Sequence, residues 1–143
     1  MTQEDKDLLL KDLCARLPYG IKCHIGDNKP YTLSSVSDDY DGILIRFKEQ
    51  KNGFNMEVYL SECMPYLFPL SSMTEEQKEE LRNLGWNFDN FEIHNINECL
   101  GTYREFVTHL DCCILINWLN KNHFDIGLIP KGLAIDCTNL NIY

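Results

Sequence analysis

One segment constrains the fold more than any other, residues 102–122, TYREFVTHLDCCILINWLNKN. Thr102 and Glu105 form a capping-box pattern, in which each side chain satisfies a backbone donor at the start of a helix. Apolar residues then recur at three- and four-residue steps, the period of an amphipathic helix. These residues are Phe106, Val107, Leu110, Cys113, Ile114 and Trp118, and the stripe is widened by Leu115, Ile116 and Leu119. The pattern predicts a C-terminal helix buried on more than one side.

Length and composition predict a single domain over residues 1–143. A chain of 143 residues is long enough for one core and too short for two ordinary domains. Hydrophobic residues at 44% and charged residues at 24% are typical of globular proteins. The longest apolar run, Cys112–Ile116, is far shorter than the ~20 residues needed to cross a bilayer, and the acidic N-terminus differs from a signal peptide. We therefore expect a cytoplasmic protein with no membrane association.

Charge and cysteine content narrow the classes of partner. The net charge of -9 argues against direct nucleic-acid binding, because a grip on phosphates requires Lys and Arg. The same charge fits solubility, a basic protein partner, or an inhibitor that imitates the charge of DNA. The seven cysteines are odd in number and scattered through apolar surroundings, which favours reduced thiols over a disulfide framework.

The first half of the chain predicts one helix and a small sheet. Thr2 caps a helix to about Leu17, which Pro18 and Gly20 end. Short β-branched and aromatic runs follow, with Asp-Gly at 41–42 and Asn-Gly at 52–53 as hairpin signals. The predicted strands are 21–25, 31–36, 43–47 and 54–60. Together they predict an antiparallel sheet or half-barrel of about four strands.

The second half predicts an α+β fold with a surface helix. Two prolines in residues 61–73 exclude a helix there and favour an extended chain. Thr74 and Gln77 form a second capping box, opening a mostly polar helix that Gly85 ends. We expect a loop with a short strand near Phe91–His94, a C-terminal helix packed on the sheet, and a short strand at 133–136.

Two stretches resemble a group of small uncharacterised proteins encoded in prophages and mobile elements of gut bacteria. They are residues 65–76, with the Pro-Leu-Ser-x-Met-Thr-Glu pattern, and a C-terminal block over 118–125 and 127–134. The likeness leaves residues 86–101 outside, and Ile126 stands where the group often has a basic residue. The group has no established activity, so no site residue carries over. The resemblance implies an accessory protein of phage or mobile-element origin.

The sharpest candidate for chemistry is a Cys/His pair on the C-terminal helix. His109 precedes Cys112 by three residues and Cys113 by four, which places an imidazole beside a thiol on one helical face. Such a pair could activate a thiolate or contribute to a zinc site. No CxxC or HxxxH pattern accompanies it, so ordinary packing is the preferred interpretation. A thiol pKa below the usual value of about 8.5 would favour the enzyme hypothesis.

Three other features have structural interpretations. A protonated His123, with Asp125, suits the negative C-terminal end of a helix. The carboxylates of Asp38, Asp39 and Asp41 lack the further oxygens of a calcium loop, so no metal is expected. No phosphate-binding loop, dinucleotide fingerprint or nucleophile elbow is present, and no cofactor is expected.

A protein-binding role is the leading functional hypothesis. Pro65, Tyr66, Phe68 and Pro69 predict a part-exposed strip for an unknown protein partner, and a homo-oligomer is possible. The chain is thus predicted to be a non-catalytic accessory protein that acts through protein contacts. The alternatives are a Cys/His enzyme and an acidic DNA-mimic inhibitor, whose carboxylates would form one continuous face.

Overall fold

The computed structural model describes residues 1–27, 29–48, 56–86 and 109–143, with the backbone alone for 109–112. These residues form an α+β fold, as predicted. The helices are α1 (Gln3–Arg16), α2 (Glu75–Asn83) and α3 (His109–Lys121). The strands are β1 (Lys22–His24), β2 (Tyr31–Asp39), β3 (Gly42–Phe47), β4 (Glu57–Tyr59), β5 (Met64–Leu67) and β6 (Ile135–Asp136).

The sheet is larger than the four-stranded antiparallel sheet that the sequence predicts. Six strands are ordered β4-β3-β2-β1-β5-β6, and the last pair is parallel. The long β2–β3 hairpin has a register shift between Leu33 and Ser35, a bulge of the kind that increases local twist. The prediction missed β5 and the pairing of β6, because both depend on neighbours distant in sequence.

Strand β5 contains one of the two prolines of residues 61–73, which the sequence analysis placed outside the sheet. Pro65 lies within β5, opposite Cys23 of β1. The pairing with β6 begins only at Tyr66, so Pro65 has a registered neighbour on one side. A proline is tolerated where one side of a strand needs no donor. The predicted extended backbone is confirmed over Met64–Leu67, where it is a strand of the sheet, but single 3₁₀ turns at Leu60–Glu62 and Leu70–Ser72 flank it.

Helix α1 packs on the sheet through its buried stripe. The Thr2 hydroxyl accepts a hydrogen bond from the Asp5 amide at 3.1 Å, and Asp5 accepts from the Thr2 amide, so the predicted start of the helix is confirmed. Leu9 and Leu13 are fully buried in a cluster with residues of the sheet. The other members include Ile21, Cys23, Tyr31, Leu33, Ile45, Phe47, Leu60, Cys63, Leu67 and Leu128.

Within its described residues 113–121, helix α3 packs in a second cluster, whereas the sequence predicts packing on the sheet. Leu115 and Leu119 are buried with Leu81 of α2. The cluster is completed by Leu70, Met73, Trp86 and Phe124. Trp118 also donates from Nε1 to Oε2 of Glu80 at 3.1 Å. Helix α2 thus covers one side of α3, and helix α1 also contacts α3.

The opposite side of α3 is more exposed than predicted. Ile114 is 38% exposed and Asn117 is also exposed, although both lie in the segment with the densest apolar content. The apolar stripe is therefore buried on one face within residues 113–121. The predicted cap at Thr102 and Glu105, and the strand near Phe91–His94, lie outside the described residues.

The ends of α2 and α3 share one geometry with different residues. After α2, the Trp86 amide donates to the Leu81 carbonyl, and Gly85 has a φ of +90°. After α3, the Phe124 amide donates to the Leu119 carbonyl, and His123 has a φ of +59°. Both are Schellman motifs, in which the left-handed position usually falls to glycine. His123 occupies that position despite its Cβ.

A buried ion pair connects α1 with the end of α3. Arg16 is 0% exposed and makes two hydrogen bonds to Asp12, from Nε at 2.8 Å and from Nη2 at 2.9 Å. Nη2 also donates to the Phe124 carbonyl at 2.7 Å. Burial raises the pKa of the Asp12 carboxyl, and the charge of Arg16 opposes that rise. The guanidinium thus compensates a buried charge and satisfies a carbonyl beyond the helix end.

Candidate protein-contact site

A groove lies where the start of α1, the β2–β3 hairpin and the chain after β4 meet. We call it the hairpin groove, and its volume is about 280 Å³. It is lined by Gln3, Lys6, Asp41, Gly42, Ile43, Tyr59, Leu60 and Ser61. The three segments are separated by tens of residues in sequence, so the groove exists only in the folded chain.

The lining combines an apolar base with a polar rim. Leu60 is 4% exposed and Ile43 is half-buried, whereas Gln3, Lys6 and Ser61 are exposed. The side-chain amide of Gln3 donates from Nε2 to the Asp7 carboxylate at 2.8 Å. Its volume lies near the lower end of the ~300–1,000 Å³ of drug-sized ligand pockets, which is enough for one or two protein side chains.

Two exposed tyrosines lie in or next to the groove. Tyr59 is 42% exposed in the lining, and Tyr40, 99% exposed at the tip of the β2–β3 hairpin, directly precedes the lining residue Asp41. Tyrosine combines a large apolar ring with a hydroxyl that hydrogen-bonds, and it is enriched at protein interfaces. At this exposure the Tyr40 ring makes almost no contact within the fold, which leaves it accessible to a partner.

The turn that presents Tyr40 is short and locally fixed. Asp39 pairs with Gly42, which leaves Tyr40 and Asp41 as the two turn residues. The Asp39 carboxylate accepts a hydrogen bond from the Tyr40 amide at 2.8 Å. Gly42 has a φ of +138°, a backbone conformation that side-chain-bearing residues rarely adopt. The predicted turn over 38–42 is thus confirmed, in a tighter form.

Negative charge is frequent in the segments that meet at the groove, whereas the lining itself holds one carboxylate, Asp41, and one ammonium, Lys6. The three segments 2–7, 38–43 and 57–62 carry eight carboxylates and one lysine. Some carboxylates have partners, such as Glu57, which lies 2.5 Å from Arg46, and Asp5, which lies 3.6 Å from Lys131. Within the described part of the chain, no ion pair involves Asp38, Asp39 or Asp41. The hairpin tip therefore presents uncompensated negative charge beside Tyr40.

The predicted Cys/His pair lies at the start of the described part of α3. The backbone is helical through His109 and Cys112, and the side chains of both lie outside the described residues. Cys113 is half-buried, on the first turn for which burial is described. A catalytic role for His109 with Cys112 or Cys113 therefore stays a prediction.

Two buried thiols, Cys23 and Cys137, have raised pKa values. Cys23, Cys63 and Cys137 are buried, whereas Cys14 is exposed. A hydrogen bond with Cys63, together with burial, raises the pKa of the Cys23 thiol. Burial raises the pKa of Cys137 to about 11. Thiols with raised pKa values are poor nucleophiles near neutral pH.

The predicted partner strip at residues 65–69 is largely inside the molecule. Pro65 is buried in β5, and Tyr66 is 6% exposed. Phe68 and Pro69 are half-buried, and the Phe68 ring lies near the rings of Phe124 and Tyr143. The expected exposure is therefore corrected, because β5 draws the strip into the sheet. A partner role for these residues remains a prediction.

His123 does not carry the proton that helix capping would require. Burial and the nearby charges of Arg16 and Lys22 lower its pKa to about 4, so the ring is neutral at physiological pH. The ring stacks on Tyr143 with centroids 4.1 Å apart. Asp125 is buried and accepts hydrogen bonds from the amides of Leu128 and Ile129. Both residues thus fix local structure.

Neither a metal-binding cluster nor a membrane-spanning helix is found among the described residues. No group of three His, Cys, Asp or Glu side chains in residues 1–27, 29–48, 56–86 and 109–143 is arranged to hold a metal ion. None of the helices in those ranges has the length and apolar character of a membrane span.

Comparisons of the chain with protein families, curated proteins and solved structures found no match. The candidate site therefore depends on its own geometry.

Sequence analysis missed the hairpin groove, although one signal was present. Tyr40 stands among Asp38, Asp39 and Asp41, and a large aromatic residue is unusual within such a polar turn. The turn was interpreted as solvated, and the aromatic residue received no role. That the next residue, Asp41, lines a groove together with Lys6 and Tyr59 depends on tertiary packing.

Proposed function

We propose that this chain is a non-catalytic accessory protein that acts by binding another protein through the hairpin groove. The observation that carries the proposal is Tyr40, 99% exposed at a fixed hairpin tip beside a groove with an apolar base. Interface energy concentrates in a few aromatic anchors surrounded by polar contacts. Tyr40 and Tyr59 supply such anchors, and the exposed lining residues supply the polar surroundings.

An origin in a phage or mobile element belongs to the same proposal. It is supported by the resemblance of residues 65–76, 118–125 and 127–134 to small proteins of prophages, and a binding role fits an accessory protein. A cytoplasmic location also belongs to the proposal, supported by apolar runs far shorter than the ~20 residues of a membrane span.

Site-specific photo-crosslinking tests the proposal in host cells. A benzoylphenylalanine at position 40 is expected to trap one protein repeatedly. The control position is Tyr19, which is 37% exposed and lies just beyond the far end of α1, about 20 Å along the helix axis. It is expected to trap little of that protein.

Variants of the lining sharpen this experiment. Tyr59→Ala is expected to reduce the crosslink from position 40, because it removes an exposed ring from the groove with little effect on the core. Tyr19→Ala serves as its control and is expected to leave the crosslink unchanged. Equal crosslinks from positions 40 and 19, or none from position 40, would contradict the proposal.

A further inference from the structure

The chemistry of the hairpin groove indicates what kind of partner segment it accepts. This inference rests on the proposed function and adds the class of partner. We propose that the groove binds a basic protein segment, in which lysine or arginine residues flank an apolar or aromatic anchor.

The first support is charge complementarity at the rim. The three segments that meet at the groove hold eight carboxylates and one lysine, within a chain of net charge -9. Asp41 lines the groove, and Asp38, Asp39 and Asp41 flank Tyr40 in sequence at the hairpin tip. Complementary charge steers association and disfavours partners of like charge. An acidic segment would meet repulsion from the hairpin tip.

The second support is the apolar base of the groove. Leu60 and Ile43 form its least exposed part, and the Tyr59 ring stands beside them. Burying an apolar side chain there removes apolar surface from water on both partners. Tyr40 can in addition face a cationic side chain of the partner, since aromatic rings attract lysine and arginine. An exclusively charged segment would leave the base of the groove unused.

Lys6 is the exception in the rim, and its position is compatible with the proposal. It is exposed and lines the groove from the first turns of α1. An extended segment carries backbone carbonyls whatever its side chains, and an ammonium group is a strong donor to them. Lys6 can thus donate hydrogen bonds to backbone carbonyls of the partner, while the carboxylates bind its lysine and arginine side chains.

The test uses a random twelve-residue peptide library displayed on phage and selected on the full chain. Peptides that also bind the variant carrying Tyr40→Ala and Tyr59→Ala are removed. The remaining peptides are expected to be enriched in lysine and arginine beside leucine or an aromatic residue. Their affinity for the wild-type chain is expected to fall as salt rises from low to high concentration, because exposed charges are screened.

Two charge-matched variants then separate local charge from total charge. The first carries Asp38→Asn, Asp39→Asn and Asp41→Asn, and its peptide affinity is expected to fall about tenfold. The second carries Glu75→Gln, Glu76→Gln and Glu79→Gln on α2, and its affinity is expected to change less than about twofold. Asparagine at position 39 keeps an oxygen for the Tyr40 amide, which preserves the turn.

The outcomes distinguish the partner class from the proposed function. Groove-dependent peptides that are neutral or acidic, or that bind both charge variants equally, would overturn the basic partner and leave the groove as the contact site. Recovery of no peptide that depends on Tyr40 and Tyr59 would overturn both proposals. Salt-dependent binding by the wild-type chain tests the charge argument without any variant.

Discussion

Arg16 donates from Nη2 to the carbonyl oxygen of Phe124 at 2.7 Å, across 108 positions of the chain. The same guanidinium binds Asp12 through two hydrogen bonds, and the side chains of both residues are at most 1% exposed. One side chain therefore joins the N-terminal helix to the turn that follows α3. The loss of stability on mutation is expected to depend on whether one or both residues are replaced, because a single replacement leaves the other charge buried without a partner.

Asp12→Leu is expected to lower the free energy of unfolding by about 3–5 kcal/mol, because the buried charge of Arg16 loses its partner. Asp12→Leu combined with Arg16→Met is expected to cost less than Asp12→Leu alone, since no buried charge remains uncompensated. Urea unfolding followed by tryptophan fluorescence measures both variants.

The control for this pair is a surface ion pair. Glu79→Gln breaks the 2.5 Å contact with Arg82, in which the side chains are 59% and 31% exposed. Its expected cost is about 0–1 kcal/mol. Equal costs for Asp12→Leu and Glu79→Gln would show that burial does not govern the Asp12–Arg16 pair.

His123 is expected to make stability depend on pH. Its pKa is about 4 in the folded chain and 6.5 as the ordinary value, so the unfolded chain binds the proton first as pH falls. The contribution to stability is therefore complete above pH 6.5 and is lost as pH falls towards 4. Its size is about 1–2 kcal/mol, reduced because the ring is only part-buried and solvent screens it.

His123→Asn tests this dependence, because asparagine tolerates the left-handed backbone and does not titrate. The variant is expected to show a smaller decrease in stability between pH 6.5 and 4 than the wild type. Ser71→Ala changes an exposed residue that does not titrate and leaves His123 in place, so it is expected to keep the wild-type slope. Chemical unfolding at several pH values provides the measurement, and parallel slopes for wild type and His123→Asn would refute it.

Helix α3 is expected to respond unequally to two similar truncations. Leu119→Ala removes a side chain that is 1% exposed in the second cluster, with an expected cost of about 2–5 kcal/mol. Ile114→Ala removes one that is 38% exposed, with an expected cost below about 1 kcal/mol. Thermal unfolding monitored by circular dichroism compares the variants directly. A comparable loss in both would mean that α3 is covered on both faces, as the sequence predicts.

Elements whose signals lie within a few residues were predicted well. The capping boxes of Thr2 and Thr74 place the starts of α1 and α2, because a cap is completed by the residue three positions later. Gly85 marks the end of α2 for a similarly local reason. The β2–β3 hairpin followed from Asp41-Gly42 between two apolar strands. Net charge and chain length are likewise read directly from the sequence.

Tertiary structure decided whatever depends on distant neighbours. The Pro65 strand joins the sheet because β1 lies beside it, and Arg16 is buried where Asp12 and the Phe124 carbonyl accept hydrogen bonds from its Nε and Nη2. The hairpin groove likewise forms only where three separate segments meet. Local sequence determines the backbone preference of each segment, but burial and site geometry arise from packing between segments, which no single stretch encodes.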